Sequence, residues 1–224
     1  MSKLDIAIWS DVICPWCPIG HANLQQALDL LGAGIEASVK WKPFQLSPDV
    51  PPEGRTMRES FEQKMGLSFE QAIAMRKRVA DAGREAGFAI PWDEDPDGNG
   101  MVWNTFAAHK LLRWALDTAG AQKQCELSDA LFRANFQDGR NISDEEVLVD
   151  IAGSAGLDRV QAQAALADPA LDQAVQTELE RGRQMGVASV PTFVINGKYG
   201  IAGGQPPEQF ARALQQIAAE TAAA

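Results

Sequence analysis

Near the start of the chain, the spacing of apolar residues along the sequence changes twice. The run from Leu4 to Trp9 is apolar almost throughout, which is typical of a buried strand. From Ile19 to Leu31 the apolar residues recur at helical spacing, and Gly32 and Gly34 then interrupt the pattern. The residues from Ile35 to Phe44 alternate between apolar and polar, as the residues of a half-buried strand do. This part of the chain is therefore predicted to form a β-α-β unit.

In the long central part of the chain, apolar residues recur at the spacing that is typical of helices. A proline-rich segment, 45–54, is typical of a linker or loop, and nearly everything from residue 56 to about 186 is helical in character. Capping boxes are predicted at Ser68 and Ser143, and an acidic segment around 93–97 is predicted to be a solvated turn. The predicted helices span 56–65, 68–85, 103–119, 122–136, 143–153, 158–167 and 169–185.

Near the C-terminal end, the pattern of apolar residues again has the two-residue period of strands. Val190 to Ile195 is a short apolar run, and Asn196-Gly197 after it is a strong signal for a two-residue hairpin. Residues 198–202 would form the partner strand, and Pro206 to Ala222 is predicted to be a final helix. The order of elements is thus β-α-β, a helical block and β-β-α.

The helical block is too long to be a loop within one compact unit. The sequence therefore predicts an α/β domain formed by residues 1–46 and 187–224, with an inserted helical domain over 47–186.

Composition and charge exclude several functions. The chain has 224 residues, of which 46% are hydrophobic, and a formal net charge of −10. A strongly acidic chain is a poor candidate for binding nucleic acid or an anionic membrane, since both need a basic surface. No apolar run approaches the roughly 18 residues of a membrane span. Because residues 1–5 lack the features of a signal peptide, we expect a cytoplasmic protein.

The candidate chemistry lies in the motif Cys14-Pro15-Trp16-Cys17, at the predicted junction of the first strand and the first helix. Helix N-termini stabilise anions, so the pKa of Cys14 is expected to fall well below its ordinary value of ~8.5. Pro15 suits a first helical turn because it has no N–H group to lose. Cys17 lies one turn later and can form a disulfide with Cys14. The remaining cysteine, Cys125, is expected to be a buried bystander.

Two other interpretations of the cysteine pair are weaker. A zinc site would need two further ligands, and Cys125, His21 and His109 stand at no ligand-like spacing, so no metal is predicted. A purely structural pair is disfavoured by its position at a strand–helix junction.

The motif and the element order together resemble the DsbA-like branch of the thioredoxin superfamily, and within it the FrnE-like cytoplasmic family. The resemblance rests on the segments 10–20, 104–109, 187–193 and 196–207. It implies a thioredoxin-like fold with a large inserted helical domain and a thiol–disulfide oxidoreductase or isomerase. It also implies a cis bond before Pro191, facing the cysteines, which leaves Val190 open to pair with a substrate chain as an added strand.

The expected roles follow from the motif and from this resemblance. Cys14 is the expected attacking thiolate and Cys17 the resolving thiol, while Trp16, Val190 and Pro191 are expected to contact substrate. Three further candidates for the cleft are Pro15, His21 and Asn104. The expected substrates are protein or small-molecule thiols and disulfides. Glutathione is a candidate co-substrate, no other cofactor is expected, and the protein is expected to be a monomer or a homodimer.

The sequence departs from the family pattern at one position. Thioredoxin-like enzymes often hold a buried acid six residues before the first cysteine, where this chain has Ile8. Asp11 is interpreted as a solvated turn residue, so the proton of Cys17 is expected to leave through water. Trp16 cannot carry the positive charge of a histidine, so we expect a less oxidising couple than in periplasmic oxidants.

Two alternative functions stay open at this point. One is a glutathione-dependent isomerase or transferase resembling 2-hydroxychromene-2-carboxylate isomerase and kappa-class glutathione transferase, whose members typically carry serine at the position of Cys14. The other is a chaperone-like module that binds unfolded segments by strand addition without using the thiols.

Overall fold

A computed structural model gives the structure of residues 2–51, 53–95 and 97–222. Pro52 and Pro96, which the sequence analysis assigns to the linker and the acidic segment, lie outside these ranges. The strands are β1 Ser2–Ser10, β2 Ile35–Pro43, β3 Arg55–Thr56, β4 Met101–Val102, β5 Thr192–Ile195 and β6 Tyr199–Ala202. The helices are α1 Trp16–Leu31, α2 Met57–Met65, α3 Phe69–Ala86, α4 Phe106–Phe136, α5 Glu145–Ser154, α6 Arg159–Ala167, α7 Pro169–Gln184 and α8 Pro207–Ala222.

A mixed sheet with the order β2-β1-β5-β6 joins the two ends of the chain. Strand β1 pairs in parallel with β2 from Ser2↔Ile35 onwards, and it pairs antiparallel with β5. The hairpin between β5 and β6 turns at Asn196 and Gly197, whose φ angles of 51° and 66° are the left-handed values that such a turn requires. The hairpin predicted from the sequence is confirmed. The central position of β1 fixes the segment that follows it, which carries the cysteines.

A large hydrophobic core holds the sheet and the helices together, and a second, small cluster contains Trp9, Val187 and Val194. Helices α1 and α8 pack against each other, and the rings of Phe193 and Phe210 meet edge to face at 4.8 Å. On the side of β2, the Gln124 side chain on α4 accepts a hydrogen bond from the Trp41 amide and donates one to the Trp41 carbonyl. The central helix α4 is thereby fixed in position against the sheet.

The helical block differs from its prediction in three places. The helices predicted over 103–119 and 122–136 form one element, α4, which bends at Gly120, where φ is 85° and ψ is 178°. The cap of α5 is Asp144 rather than Ser143, because the Asp144 carboxylate accepts hydrogen bonds from two amides of the first turn. The capping box predicted at Ser68, at the start of α3, is confirmed. The third difference is the short two-stranded sheet of β3 and β4, whose pairing joins segments far apart in sequence.

The described part of the acidic segment is a largely exposed turn, as predicted, and arginines hold it in place. Arg76 is 3% exposed and donates to Asp95 at 3.2 Å, and Arg84 donates to both oxygens of Asp93. These contacts tie the segment to α3. Within the described ranges, no helix is long and apolar enough to cross a membrane.

Candidate functional site

The cysteine pair lies where β1 ends and α1 begins, as the sequence predicts. The Cys14 amide donates to the Asp11 carbonyl at 2.9 Å, and the Cys17 amide donates to the Cys14 carbonyl at 3.1 Å. Pro15 is the N-cap of α1, so the helix begins at Trp16, immediately after it. Both thiols are free, and the Cys17 thiol lies within hydrogen-bonding reach of Cys14. The two sulfurs therefore lie near each other without a bond between them.

The loop before β5 faces the first cysteine. The Val190–Pro191 peptide bond is cis, and the Cys14 thiol donates to the Val190 carbonyl at 3.5 Å. The Pro191 carbonyl accepts from the Gly203 amide at 2.8 Å, which fixes the loop to the end of β6. A Cβ at Gly20 would lie 3.2 Å from the Pro191 ring, so the absence of a side chain there lets α1 approach the loop closely.

Cys14 opens into a large apolar cleft. The cleft has a volume of about 720 Å³, and its lining includes Cys14, Pro15, Trp16 and Val190. Most of its other walls are large apolar side chains from the helical block and its loops, among them Met57, Phe61, Met75, Trp92, Met101 and Trp103. Among the described lining residues, Asp95 is the one that carries a charge. The cleft can therefore bury an apolar group beside the Cys14 sulfur.

Cys17 lies behind Cys14 and is completely buried. Burial is the main cause that raises the pKa of the Cys17 thiol well above its ordinary value, and the neighbouring Cys14 raises it further. Hydrogen bonds from the Ser10 hydroxyl and from the Asp11 amide oppose this effect and lower the pKa. Cys17 therefore stays protonated at neutral pH in the free protein.

Asp11 is buried, which corrects the interpretation of this residue as a solvated turn residue. Its side chain is fully shielded, and one oxygen accepts a hydrogen bond from the Leu46 amide at 2.6 Å. The other oxygen lies 3.6 Å from Nε2 of His109, which is 2.9 Å from the Phe44 carbonyl. The carboxylate thus ties the turn before the cysteines to the segment that follows β2. This contact joins residues distant in sequence, so no local pattern indicated it.

The structure places two of the candidate cleft residues elsewhere. His21 is buried, packs edge to face on Trp41 at 4.9 Å and has its Nδ1 atom 3.4 Å from Asp129. Asn104 donates to the Pro48 carbonyl at 3.2 Å and accepts from the Phe106 amide. Neither residue lines the cleft, so His21 is a packing residue and Asn104 orders the start of α4.

Cys125 is separate from the pair. It lies on α4, where its thiol donates weakly to the Val39 carbonyl at 3.7 Å. Burial raises its pKa to about 11, so this thiol is unreactive at neutral pH. Within residues 2–51, 53–95 and 97–222, no cluster of three His, Cys, Asp or Glu side chains could hold a metal ion.

Comparisons with known proteins agree with this geometry. The chain is 33% identical to a probable DsbA oxidoreductase from Streptomyces coelicolor, whose crystal structure matches with a TM-score of 0.84 over 95% of this chain and 89% of that chain. The uncharacterized protein YwbO of Bacillus subtilis is 26% identical over 210 residues, which is 93% of this chain and 94% of the relative. The cytosolic disulfide reductase DsbM from Pseudomonas aeruginosa, in a structure with glutathione, is 15% identical with a TM-score of 0.62 over 95% of this chain and 98% of that chain, which shows a likeness of fold alone.

The family match settles the class of the molecule. The family model of the DSBA-like thioredoxin domain matches residues 5–215, which is most of the chain. The expected thioredoxin-like α/β fold is confirmed by this match and by the likeness to the Streptomyces structure. The chain therefore belongs to the family of DSBA-like thioredoxin domains.

Proposed function

We propose that this protein is a thiol–disulfide oxidoreductase or isomerase in which Cys14 attacks the substrate and Cys17 resolves the product. One observation supports this most: a free thiol at the start of α1 faces both an apolar cleft and the loop at Val190–Pro191, with a second thiol buried behind it. Family membership supports the same class of reaction.

The order of steps follows from which thiol a substrate can reach. A substrate disulfide enters the cleft, and the Cys14 thiolate attacks one of its sulfurs to form a mixed disulfide. Cys17 then attacks the Cys14 sulfur, which releases the reduced substrate and leaves a Cys14–Cys17 disulfide. The oxidising direction is the reverse of this sequence. In the first step the substrate backbone takes the place of the Cys14 thiol at the Val190 carbonyl, as an added strand.

The lining of the cleft favours polypeptide substrates over glutathione. Glutathione carries two carboxylates at neutral pH, and the described lining residues include no Lys, Arg or His to bind them. Methionine and aromatic side chains bury apolar groups of varied shape. We therefore assign protein or peptide disulfides with neighbouring apolar residues as the main substrates, and glutathione as a secondary co-substrate.

Subfamily and location are part of the same proposal. The Cys-Pro-Trp-Cys motif and the segments quoted in the sequence analysis support a place in the FrnE-like branch, acting in the cytoplasm. Fractionation of the native host with an antibody against the chain tests the location.

The test is catalysis of insulin reduction and of refolding of scrambled ribonuclease. The wild-type protein is expected to accelerate both reactions, and Cys14→Ser to reduce both to the uncatalysed rate, because no other described thiol faces the cleft. Cys125→Ser is the matched control, and it is expected to keep full activity. Full activity in Cys14→Ser, or none in the wild type, would contradict the proposal.

The same variants separate the glutathione-dependent alternative. An isomerase or transferase that only binds the glutathione thiolate needs no resolving cysteine. Saturable turnover of a glutathione conjugate that survives Cys17→Ser would favour that alternative, and its absence favours the disulfide chemistry proposed here.

A further inference from the structure

The loop that follows β2 forms part of the cleft wall beside the cysteine pair. Within this loop, defined here as residues 44–50, Leu46 and Ser47 line the cleft together with Cys14. Leu46 is 43% exposed and Ser47 is buried, so Leu46 is the residue of this loop that offers apolar surface to a substrate. The position of the loop therefore influences the shape of the cleft near Cys14.

A buried carboxylate connects this loop to the turn that carries the cysteines. One oxygen of Asp11 accepts a hydrogen bond from the Leu46 amide at 2.6 Å, and the main-chain carbonyl of Asp11 accepts from the Cys14 amide at 2.9 Å. The Phe44 amide also donates to the Ser10 carbonyl at 2.9 Å. Two parts of the cleft wall that are distant in sequence are therefore held together at Asp11.

The start of α4 holds the same loop at two further points. The Nε2 atom of His109 is 2.9 Å from the Phe44 carbonyl, and the Asn104 side chain donates to the Pro48 carbonyl at 3.2 Å. Both residues belong to the segment 104–109, which is one of the segments that carry the family resemblance. This segment therefore fixes the loop on either side of its two cleft-lining residues.

Stability alone does not account for the buried pair of Asp11 and His109. The Asp11 side chain is completely shielded, and its Oδ1 atom has no hydrogen-bond partner among the described residues. His109 lies 3.6 Å from that atom, which is too far for a hydrogen bond. A buried polar atom without a hydrogen bond costs free energy, and apolar residues can often replace a buried ion pair without loss of stability. The contacts of the pair point instead to a role in placing the loop.

We propose that Asp11 and His109 are positioning residues for substrate recognition, which hold Leu46 where its side chain contacts apolar residues of a bound peptide disulfide. This inference rests on the proposed oxidoreductase function and adds residues that determine its substrate specificity. Neither Asp11 nor His109 lines the cleft, so both act through Leu46. A disulfide without apolar side chains should not depend on them.

The test compares two disulfides of different chemistry. One is a peptide disulfide with apolar residues next to its cysteines, and the other is bis(2-hydroxyethyl) disulfide, which has no side chains to contact Leu46. For Leu46→Ala we expect KM for the peptide to rise roughly five- to tenfold with kcat unchanged, because apolar contact surface is lost. The kinetics with the small disulfide should stay the same.

A double-mutant cycle shows whether Asp11 acts through Leu46. Asp11→Ala removes the acceptor of the Leu46 amide and should raise KM for the peptide by a similar factor. In the Leu46→Ala background the same change should alter KM by less than about twofold, because the side chain through which Asp11 acts is absent. Asp11→Asn keeps an oxygen that can accept from the Leu46 amide, so it should restore most of the affinity. His109→Ala should show the same dependence on Leu46, and it takes the place of Asp11→Ala in the cycle if that variant does not fold.

Asp129→Ala is the matched control, because Asp129 also lies beside a histidine, 3.4 Å from Nδ1 of His21, but does not line the cleft. It should leave KM for both disulfides unchanged, and urea unfolding verifies that each variant is folded. An unchanged peptide KM in Leu46→Ala would overturn the inference. Independent effects of Asp11→Ala and Leu46→Ala, or equal losses with both disulfides in folded variants, would overturn it as well. If the parent protein reduces neither disulfide, the proposed function itself is contradicted instead.

Discussion

Cys14 and Cys17 belong to the same turn, yet they face opposite surroundings. Cys14 faces an apolar cleft of about 720 Å³ that can receive a substrate. Cys17 has no exposed surface, does not line the cleft and is part of the hydrophobic core. The two thiols have the same chemistry, so the difference in their surroundings is what supports the proposed roles, in which Cys14 attacks the substrate and Cys17 resolves the mixed disulfide.

The comparison also separates two parts of the fold. The cleft wall consists largely of the helical block and its loops, including Met57, Phe61 and Met75. Cys17 does not line the cleft and is part of the buried hydrophobic core. Substitutions on the two sides should therefore have different kinetic signatures.

The largest effect is expected from removing the interior thiol. Cys17→Ser leaves Cys14 free to attack but blocks resolution, so the mixed disulfide should accumulate and turnover in insulin reduction should stop. Mass spectrometry of the protein after exposure to cell extract measures the trapped partners. Cys14→Ser is the control, and equal trapping by both variants would remove the distinction between the two sides.

A smaller effect is expected on the cleft side. Met75→Ala removes apolar surface from the cleft wall, so KM for an apolar disulfide peptide should rise by up to about tenfold while kcat changes little. Steady-state kinetics with a fluorescent peptide disulfide checks this. Met185→Ala is the control, since Met185 is 46% exposed and lies outside the cleft. An unchanged KM in Met75→Ala would mean that substrates do not use this wall.

The smallest effect concerns stability at alkaline pH. Burial raises the pKa of Cys17, and that of Cys125 to about 11, whereas the thiols of the unfolded chain keep ordinary values. As pH rises above about 8.5, the unfolded chain loses these protons first, so the free energy of unfolding of the reduced protein should fall towards pH 11. Cys125 contributes at most about 3 kcal/mol to this fall in the free energy of unfolding. Urea unfolding at several pH values measures it, and Cys125→Ala should flatten the decline. An identical slope in the variant would contradict this assignment.

Local sequence patterns predict the parts of the fold that depend on neighbours along the chain. The apolar run of β1, the alternation in β2 and the Asn196-Gly197 turn each give an element at its observed place. The capping box at Ser68 is equally local. The position of the cysteine pair follows from the junction of β1 and α1, so the thiols of the candidate site are predictable from the sequence.

The rest of the site depends on contacts between distant segments. The burial of Asp11 brings its carboxylate to the Leu46 amide and to His109 on α4. Helical spacing placed His21 one turn beyond Cys17, but the rotation of α1 directs it towards Trp41 instead of the cleft. No periodicity encodes such contacts, because they arise only when the elements pack.

The difference between the two thiols can be measured directly by the rate at which each reacts with iodoacetamide. The reduced protein is treated at neutral pH, and alkylation of each cysteine is followed by peptide mass spectrometry over time. The account predicts that Cys14 is alkylated first and that Cys17 stays protected until the pH is raised or the chain unfolds. Equal rates for the two cysteines, or faster alkylation of Cys17, would contradict the assignment of their roles.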